Sequence, residues 1–288
     1  MEQLHLSVMD TDVYIGVQYE QEVEWKQLIT SWFSYVEQQW SRFQPYNLLS
    51  QLNALPVGQS MRLPAALYDC LWIANDYFQK TEGYFSPYLK KQLEHHGYHT
   101  SFQQIEKMPS STLFSMPTIQ ETLLFQPNET VIKQTTEQID LGGIAKGYAV
   151  EYAAKLLQSL GQTQHGIVDA GGDMVVWAND EKVWHIGISH PLQPEKNVDI
   201  LRVKNAAIAT SSRVKRSWAN DRKNHLINGQ TGQVADSEVM QATVVARSLL
   251  EAEVVAKMCF FVSSEEWFEQ CFPFSKRYII TKDNSGWQ

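Results

Sequence analysis

The sequence predicts an α+β fold, with mixed or antiparallel sheets and long helices packed against them. Strand-like alternation and helical periodicity are intermixed along the chain, without the regular strand–helix–strand rhythm of a doubly wound sheet. With 43% hydrophobic residues and nine tryptophans, the 288 residues can bury a substantial core. No clean linker divides them, so a single domain spanning residues 1–288 is expected.

The elements follow in order. Leu4 to Val17 alternates and reads as a hairpin turning around Asp10–Thr11–Asp12. Glu22 to Trp40 carries apolar residues at helical spacing (Trp25, Leu28, Ile29, Trp32, Phe33, Val36). A short helix over Asn47–Leu52 ends at Asn53, and a longer one runs from Pro64 to Thr81, with Pro64 suited to its first turn and Gly83 ending it. Ser86–Pro87 opens a helix to Glu94, and residues 95–106 read as an irregular polar stretch. Leu123 to Ile139 predicts two strands turning at Pro127–Asn128, the second reaching Ile139–Leu141. Tyr148, Ala149, Tyr152, Ala153, Leu156, Leu157 and Leu160 then mark a helix capped by Gly161. Strands are expected over 166–177 and 182–188, a loop over Pro191–Pro194, and paired strands over 200–203 and 206–209. Leu226–Gly232 reads as a turn, 242–246 as a strand and Ser248–Val262 as the last long helix. A short helix over 264–270 and a strand over 277–280 close the chain.

Charge and cysteine content narrow the function classes. A formal charge of −8 argues against a general nucleic-acid binder, because phosphate contacts need a basic surface. The basic stretch from Arg213 to Arg222 reads as a solvated loop. Cys70, Cys259 and Cys271 are odd in number and lack CxxC spacing, which fits reduced thiols. No stretch approaches the roughly 18 apolar residues of a membrane span, and the N-terminal residues carry no basic and apolar leader pattern. A cytoplasmic protein is expected.

The most informative run is DLGGIAKGYAVEYAAKLLQSLGQTQHGIVDAGGD, Asp140 to Asp173. Gly142 and Gly143 permit a sharp turn and close backbone approach, and a helix starts directly after them with Lys146 beside it. Exposed N–H groups, the positive end of the helix dipole and an ammonium together make anion-binding chemistry, most naturally for phosphate. The spacing matches neither a Walker loop nor a dinucleotide fingerprint, and the glycines alone are equally compatible with a plain strand-to-helix connection.

This run, with the VDAGGD turn at Val168–Asp173, resembles the signature of the ApbE family, the FAD:protein FMN transferases. The resemblance extends along the chain. Met9 with Thr11 is similar to a Met-Gly-Thr motif, Ser41–Asn53 to a segment ending in Leu-Asn, and Thr81–Pro87 to Thr-x-Gly-Ala-Phe-Asp-Pro. Ala207–Ser212, Asn224–Gly232 and Glu251–Met258 fall where further family segments stand. The resemblance implies that FAD is the donor, that magnesium binds its pyrophosphate, and that FMN passes to a Ser or Thr hydroxyl of an acceptor protein with release of AMP. It further implies that Phe43 stacks on the flavin, and that Met9, Tyr84, Phe85 and Ser86 line the nucleotide pocket. Asp140 would accept a hydrogen bond from FAD, Lys146 neutralise pyrophosphate, Gly143 offer its carbonyl to the metal, and His225 take the acceptor's proton. Each has a plainer alternative: Phe43 and Met9 as core residues, His225 as a turn histidine, Asp140 as a cap of its own turn.

The departures from the pattern concern the metal. Where the family writes Asp and, four residues later, Thr on its last long helix, this chain has Glu253 and Lys257. Glu253 still offers a carboxylate, but a protonated lysine cannot ligate a cation. Asn228–Gly229 and Ser86 each replace an acidic position of the pattern. Three readings stay open. Lys257 takes a catalytic part as a fixed ammonium in the metal's place, leaving magnesium weakly bound or absent. The chain binds a flavin nucleotide but has lost transfer. Or Glu253 and Lys257 form an ordinary surface ion pair. A nucleotide-binding regulator using only the glycine turn is a more distant option.

Overall fold

The computed structural model describes residues 1–98, 115–214, 217–218, 223–283 and 285–288. From the N-terminus come β1 (Glu2–Val8), β2 (Thr11–Tyr19), α1 (Lys26–Trp40), α2 (Leu48–Ala54), β3 (Ser60–Arg62), α3 (Ala65–Lys80) and α4 (Lys90–His95). The middle of the chain forms β4 (Leu123–Gln126), β5 (Thr130–Lys133), α5 (Ala145–Ser159), β6 (Thr163–Ala170) and β7 (Asp173–Ala178). There follow β8 (Trp184–His190), β9 (Gln193–Val203), β10 (Ala206–Ser212), β11 (Ser217–Trp218) and β12 (Lys223–Asn224). The last elements are β13 (Val239–Ala246), α6 (Leu249–Met258), α7 (Glu265–Cys271), β14 (Lys276–Thr281) and β15 (Ser285–Trp287). Two compact units result: residues 1–34, 146–215 and 237–288 make the first, and residues 35–145 and 216–236 the second. Among the described residues no helix is long and apolar enough to cross a membrane.

The first unit is built on an eight-stranded sheet in the order β1-β2-β6-β7-β10-β13-β14-β15. All its pairings are antiparallel, and β1–β2 and β6–β7 are joined by short turns. The first turn is Met9–Asp10, both at positive φ (59° and 56°), one step earlier than the Asp10–Thr11–Asp12 expected. Two consecutive left-handed residues give the twist a two-residue hairpin requires, an easy conformation for Asp and a costly one for Met. The β6–β7 turn uses Gly171 and Gly172. A Cβ on Gly171 would stand 2.2 Å from Thr11 Oγ1, so the bare backbone lets the two turns lie side by side.

Helix α6 is shorter than the Ser248–Val262 expected, ending at Met258, where Phe260, Phe261 and Val262 close it with backbone hydrogen bonds to Lys257 and Met258. Ser248 caps its start, accepting the Glu251 N–H at 3.1 Å. The helix packs on β7, β10 and β13, and Ala252, Val254, Val255 and Ala256 are all fully buried. Two strand expectations fail here. The supposed Pro191–Pro194 loop is only a tip, because β9 starts at Gln193 and forms a separate two-stranded hairpin with β8. Strands 200–203 and 206–209 accordingly do not pair with each other: β10 pairs with β7 and β13. Pro194 and the exposed polar residues around it are tolerated because β9 pairs on one side only.

In the second unit, α3 buries Leu67, Cys70, Leu71, Ala74 and Phe78, and β3-β5-β4 form a three-stranded sheet. Asn47 caps α2 by accepting the Ser50 N–H at 2.8 Å. The helix expected from Ser86 begins only at Lys90, since Ser86 Oγ accepts the Tyr88 N–H in a local turn. The strand expected to reach Ile139–Leu141 stops at Lys133. Ile139 is held by a side chain instead: its N–H donates to Asn53 Oδ1 at 2.6 Å and its carbonyl accepts from Asn53 Nδ2 at 2.9 Å. One amide satisfies both backbone groups, as a neighbouring strand would. Most of the polar stretch 95–106 lies outside the described residues.

Candidate functional site

In the first unit, four charged side chains gather where α5 begins. Lys146 pairs with Asp173, and its Nζ lies 3.9 Å from Glu253 Oε1. Lys257 Nζ is 3.3 Å from the same oxygen and donates to the Glu253 carbonyl at 3.2 Å. The other carboxylate oxygen of Glu253 accepts the Gly147 N–H at 3.0 Å. Asp173 Oδ1 accepts the Thr210 N–H at 3.3 Å. Glu253 is 2% exposed, which removes the reading of Glu253 and Lys257 as a surface ion pair: α6 is buried at nearly every position. Burial pushes the Glu253 carboxyl up and the Lys257 ammonium down, each opposed by the charge of its partners.

Gly147 makes this cluster possible. A Cβ there would stand 2.5 Å from Glu253 Oε2, so only glycine admits the carboxylate against the helix start. The extra methylene that distinguishes Glu from Asp carries the carboxylate onto the first turn of α5. A first-turn N–H expected to be open to an anion therefore already holds one of the protein's own.

A divalent cation asks for several oxygen ligands with negative charge to spare. Here two carboxylates face two ammoniums, and the oxygens of Glu253 and Asp173 already meet N–H donors. Among the described residues no three His, Cys, Asp or Glu side chains are grouped to hold a metal ion. The residues around Glu253 do not fit a divalent cation. A cavity of about 80 Å³ in the same unit is lined by Met174, Ile186, Leu201, Gln241 and the hydrogen-bonded pair Thr210–Thr243. Met9 stands at the β1–β2 turn of this unit.

The second unit collects the other expected residues on four loops. Asp140 N–H donates to the Pro87 carbonyl at 2.8 Å, tying the glycine turn to the segment that carries Tyr84, Phe85 and Ser86. Gly229 N–H donates to the Tyr84 carbonyl at 2.9 Å, and Gln230 Nε2 to the Glu82 carbonyl at 2.9 Å. These bonds tie the turn carrying His225 to the same segment. Phe85 is 5% exposed, and its N–H donates to Thr81 Oγ1. Asp140 is engaged within its own unit: Oδ1 accepts the Gly142 N–H at 3.0 Å, and Oδ2 pairs with Arg42 Nε at 2.8 Å. Gly143 lies in the turn that follows. Phe43 meets Tyr98 edge to face, with centroids 5.7 Å apart, and the Arg42 guanidinium lies over it.

The structure thus brings Lys146, Glu253 and Lys257 together in one unit, and Phe43, Tyr84, Phe85, Ser86, Asp140, Gly143 and His225 onto connected loops of the other. Sequence reading passed over three partners. Asp173 was visible as the acidic residue after the second glycine pair. Gly147 and Arg42 carried no local signal, because their roles depend on residues distant in the chain.

An α+β protein with a glycine turn leading into a helix start, and lysine and carboxylate side chains around that start, is the class these observations define. Residues 9–273 match the ApbE family, and the chain belongs to it. An FAD:protein FMN transferase of Klebsiella pneumoniae (strain 342) is 30% identical over 120 residues, 40% of this chain and 34% of that protein. One of Vibrio cholerae serotype O1 is 32% identical over 123 residues, 41% of this chain and 36% of that protein. The match thus spans little more than a third of these two relatives' own length. A Chlamydia pneumoniae FAD:protein FMN transferase matches 90% of this chain and 82% of its own length at 23% identity. Among solved structures, the ApbE protein of Thermotoga maritima superimposes with a TM-score of 0.82 at 21% identity, covering 100% of this chain and 96% of that one. The apo form of the Pseudomonas stutzeri flavinyl transferase ApbE gives 0.80 at 18%, covering 100% and 94%. These two likenesses establish the fold.

Proposed function

We propose that the protein is an FAD:protein FMN transferase in which the Lys257 ammonium stands where the family pattern places a metal ligand. The observation that carries this reading is the charged cluster at the start of α5, made of residues at family signature positions. The hydroxyl oxygen of an acceptor Ser or Thr attacks the flavin-side phosphorus of FAD. The bond from that phosphorus to the bridging oxygen breaks, and AMP departs with the electron pair. His225 takes the hydroxyl proton, a task suited to a side chain whose ordinary pKa lies near neutrality. Lys146 and Lys257 offset the charge on the phosphates, and transfer of this kind depends mainly on positioning and charge stabilisation. Phe43, Met9, Tyr84, Phe85, Ser86 and Asp140 hold the nucleotide. Magnesium contributes weakly or not at all, and neither Gly143 nor Glu253 is needed as its ligand. The three cysteines as thiols suit a cytoplasmic protein.

One observation favours a second reading. The cluster satisfies its own charges, which is also what a flavin-binding homologue that has lost transfer would keep. Purified protein incubated with FAD and a serine-bearing acceptor peptide separates the two. Covalent flavin on the peptide with equimolar AMP supports the transferase. Tight FAD binding without AMP leaves the non-catalytic homologue, and no binding of FAD overturns both.

A further inference from the structure

Arg42 is the least satisfied charged side chain on the connected loops of the second unit. Its side chain is 3% exposed, and its Nε pairs with Asp140 Oδ2 at 2.8 Å. The two outer nitrogens, Nη1 and Nη2, are buried and meet no hydrogen-bond partner among the described residues. Its Cζ lies 4.4 Å from the ring centroids of both Phe43 and Tyr98, so the guanidinium sits in an aromatic corner. Four N–H donors on a desolvated cation are costly to leave unmet, and such a group calls for a partner that the described residues do not supply.

The surroundings indicate which partner. Asp140 engages Nε and turns its other oxygen to the Gly142 N–H, so it leaves the outer edge of the guanidinium uncontested. That edge is a planar fork whose spacing matches two oxygens of one phosphate or carboxylate. Through Asp140 it is fixed to the Gly142–Gly143 turn that leads into α5.

We propose that Arg42 is a nucleotide-binding residue whose Nη1 and Nη2 hold phosphate oxygens of the bound dinucleotide, with Asp140 orienting the fork. This rests on the reading of the protein as one that binds FAD. Phe43 then acts first as the wall that holds the guanidinium, which its position over that ring explains.

The test is calorimetric titration of the full chain with FAD, ADP and riboflavin, for the wild type, Arg42→Lys and Arg42→Met. Arg42→Lys can keep the pair with Asp140 but loses the fork, and urea unfolding establishes that both variants are folded. We expect FAD and ADP to bind at least about tenfold more weakly to both variants, the worth of one charge-assisted hydrogen bond, with riboflavin unchanged. Unchanged FAD affinity in both folded variants overturns the proposal. So does an equal loss for riboflavin, which would put the guanidinium on the ring. If the wild type binds ADP through Arg42 but not FAD, the phosphate site stands and the transferase reading falls. If it binds neither, both fall.

Discussion

Three cations with little exposure on the same chain are supplied with acceptors differently, and the difference separates internal structure from the ligand-binding role we propose. In the first unit, Lys257 meets a carboxylate oxygen at 3.3 Å and a carbonyl at 3.2 Å, inside a cluster whose two positive and two negative groups balance. In the second unit, Lys133 is 1% exposed and donates to the Leu52 and Asn53 carbonyls at 3.4 and 3.3 Å, at the end of α2. Arg42 has a carboxylate on one nitrogen and, among the described residues, no hydrogen-bond partner on the other two. A cation supplied with acceptors by the fold belongs to its internal structure. One with an acceptor on a single nitrogen among the described residues is, on our proposal, open to a ligand.

The largest expected effect comes from breaking the balanced cluster. Glu253→Ala leaves two ammoniums against Asp173 alone and strips the Gly147 N–H of its acceptor. It should cost about 3–5 kcal/mol, read from the shift in urea midpoint at constant slope. A loss below about 1 kcal/mol would mean that water or a relaxed backbone replaces the carboxylate. Gly147→Ala should cost about 1–3 kcal/mol, because the new Cβ would stand 2.5 Å from Glu253 Oε2 and force the carboxylate off the helix start. Combined with Glu253→Ala it should add little further, a non-additivity that a double-mutant cycle measures directly.

Lys133 sharpens the middle of the comparison. Desolvation, with Lys91 and Lys90 adding repulsion and Glu137 opposing them, lowers its pKa from 10.5 to about 8. The unfolded chain therefore binds a proton that the folded chain has lost between about pH 8 and 10.5, and this group makes stability rise with pH across that window. Below the folded pKa its destabilising contribution is fully present. Lys133→Met should remove that rise, visible as a smaller gain in urea midpoint from pH 8 to pH 10. An identical pH profile in the variant would show that Lys133 titrates normally.

Much of the fold was legible in the sequence, and the failures have physical causes. Ile29, Phe33, Val36 and Trp40 of α1 and the glycine turn between β6 and β7 follow from local periodicity and backbone freedom. The strand beyond Lys133 was over-extended because an Asn53 amide replaces a strand partner, and no periodicity records that. For α5 the buried stripe turns toward Ala149, Val150, Ala153, Ala154 and Leu157, leaving Tyr152 41% exposed beside Trp32. At the site, Lys146, Glu253 and Lys257 were found by motif. Their mutual neutralisation was not, since it depends on α6 being buried at nearly every position and on Gly147 admitting a longer carboxylate. Arg42 stands next to Phe43 in the sequence, yet its partner Asp140 lies far along the chain.

The central claim is that ammonium groups, rather than a divalent cation, stand at the phosphates. The most direct measurement is the rate of AMP release from FAD by the wild-type protein in the presence of an acceptor peptide, in excess EDTA and across a magnesium titration. The account expects release to persist in EDTA and to change little with magnesium, while Lys257→Thr lowers the metal-free rate. Release that requires magnesium in the wild type would contradict it.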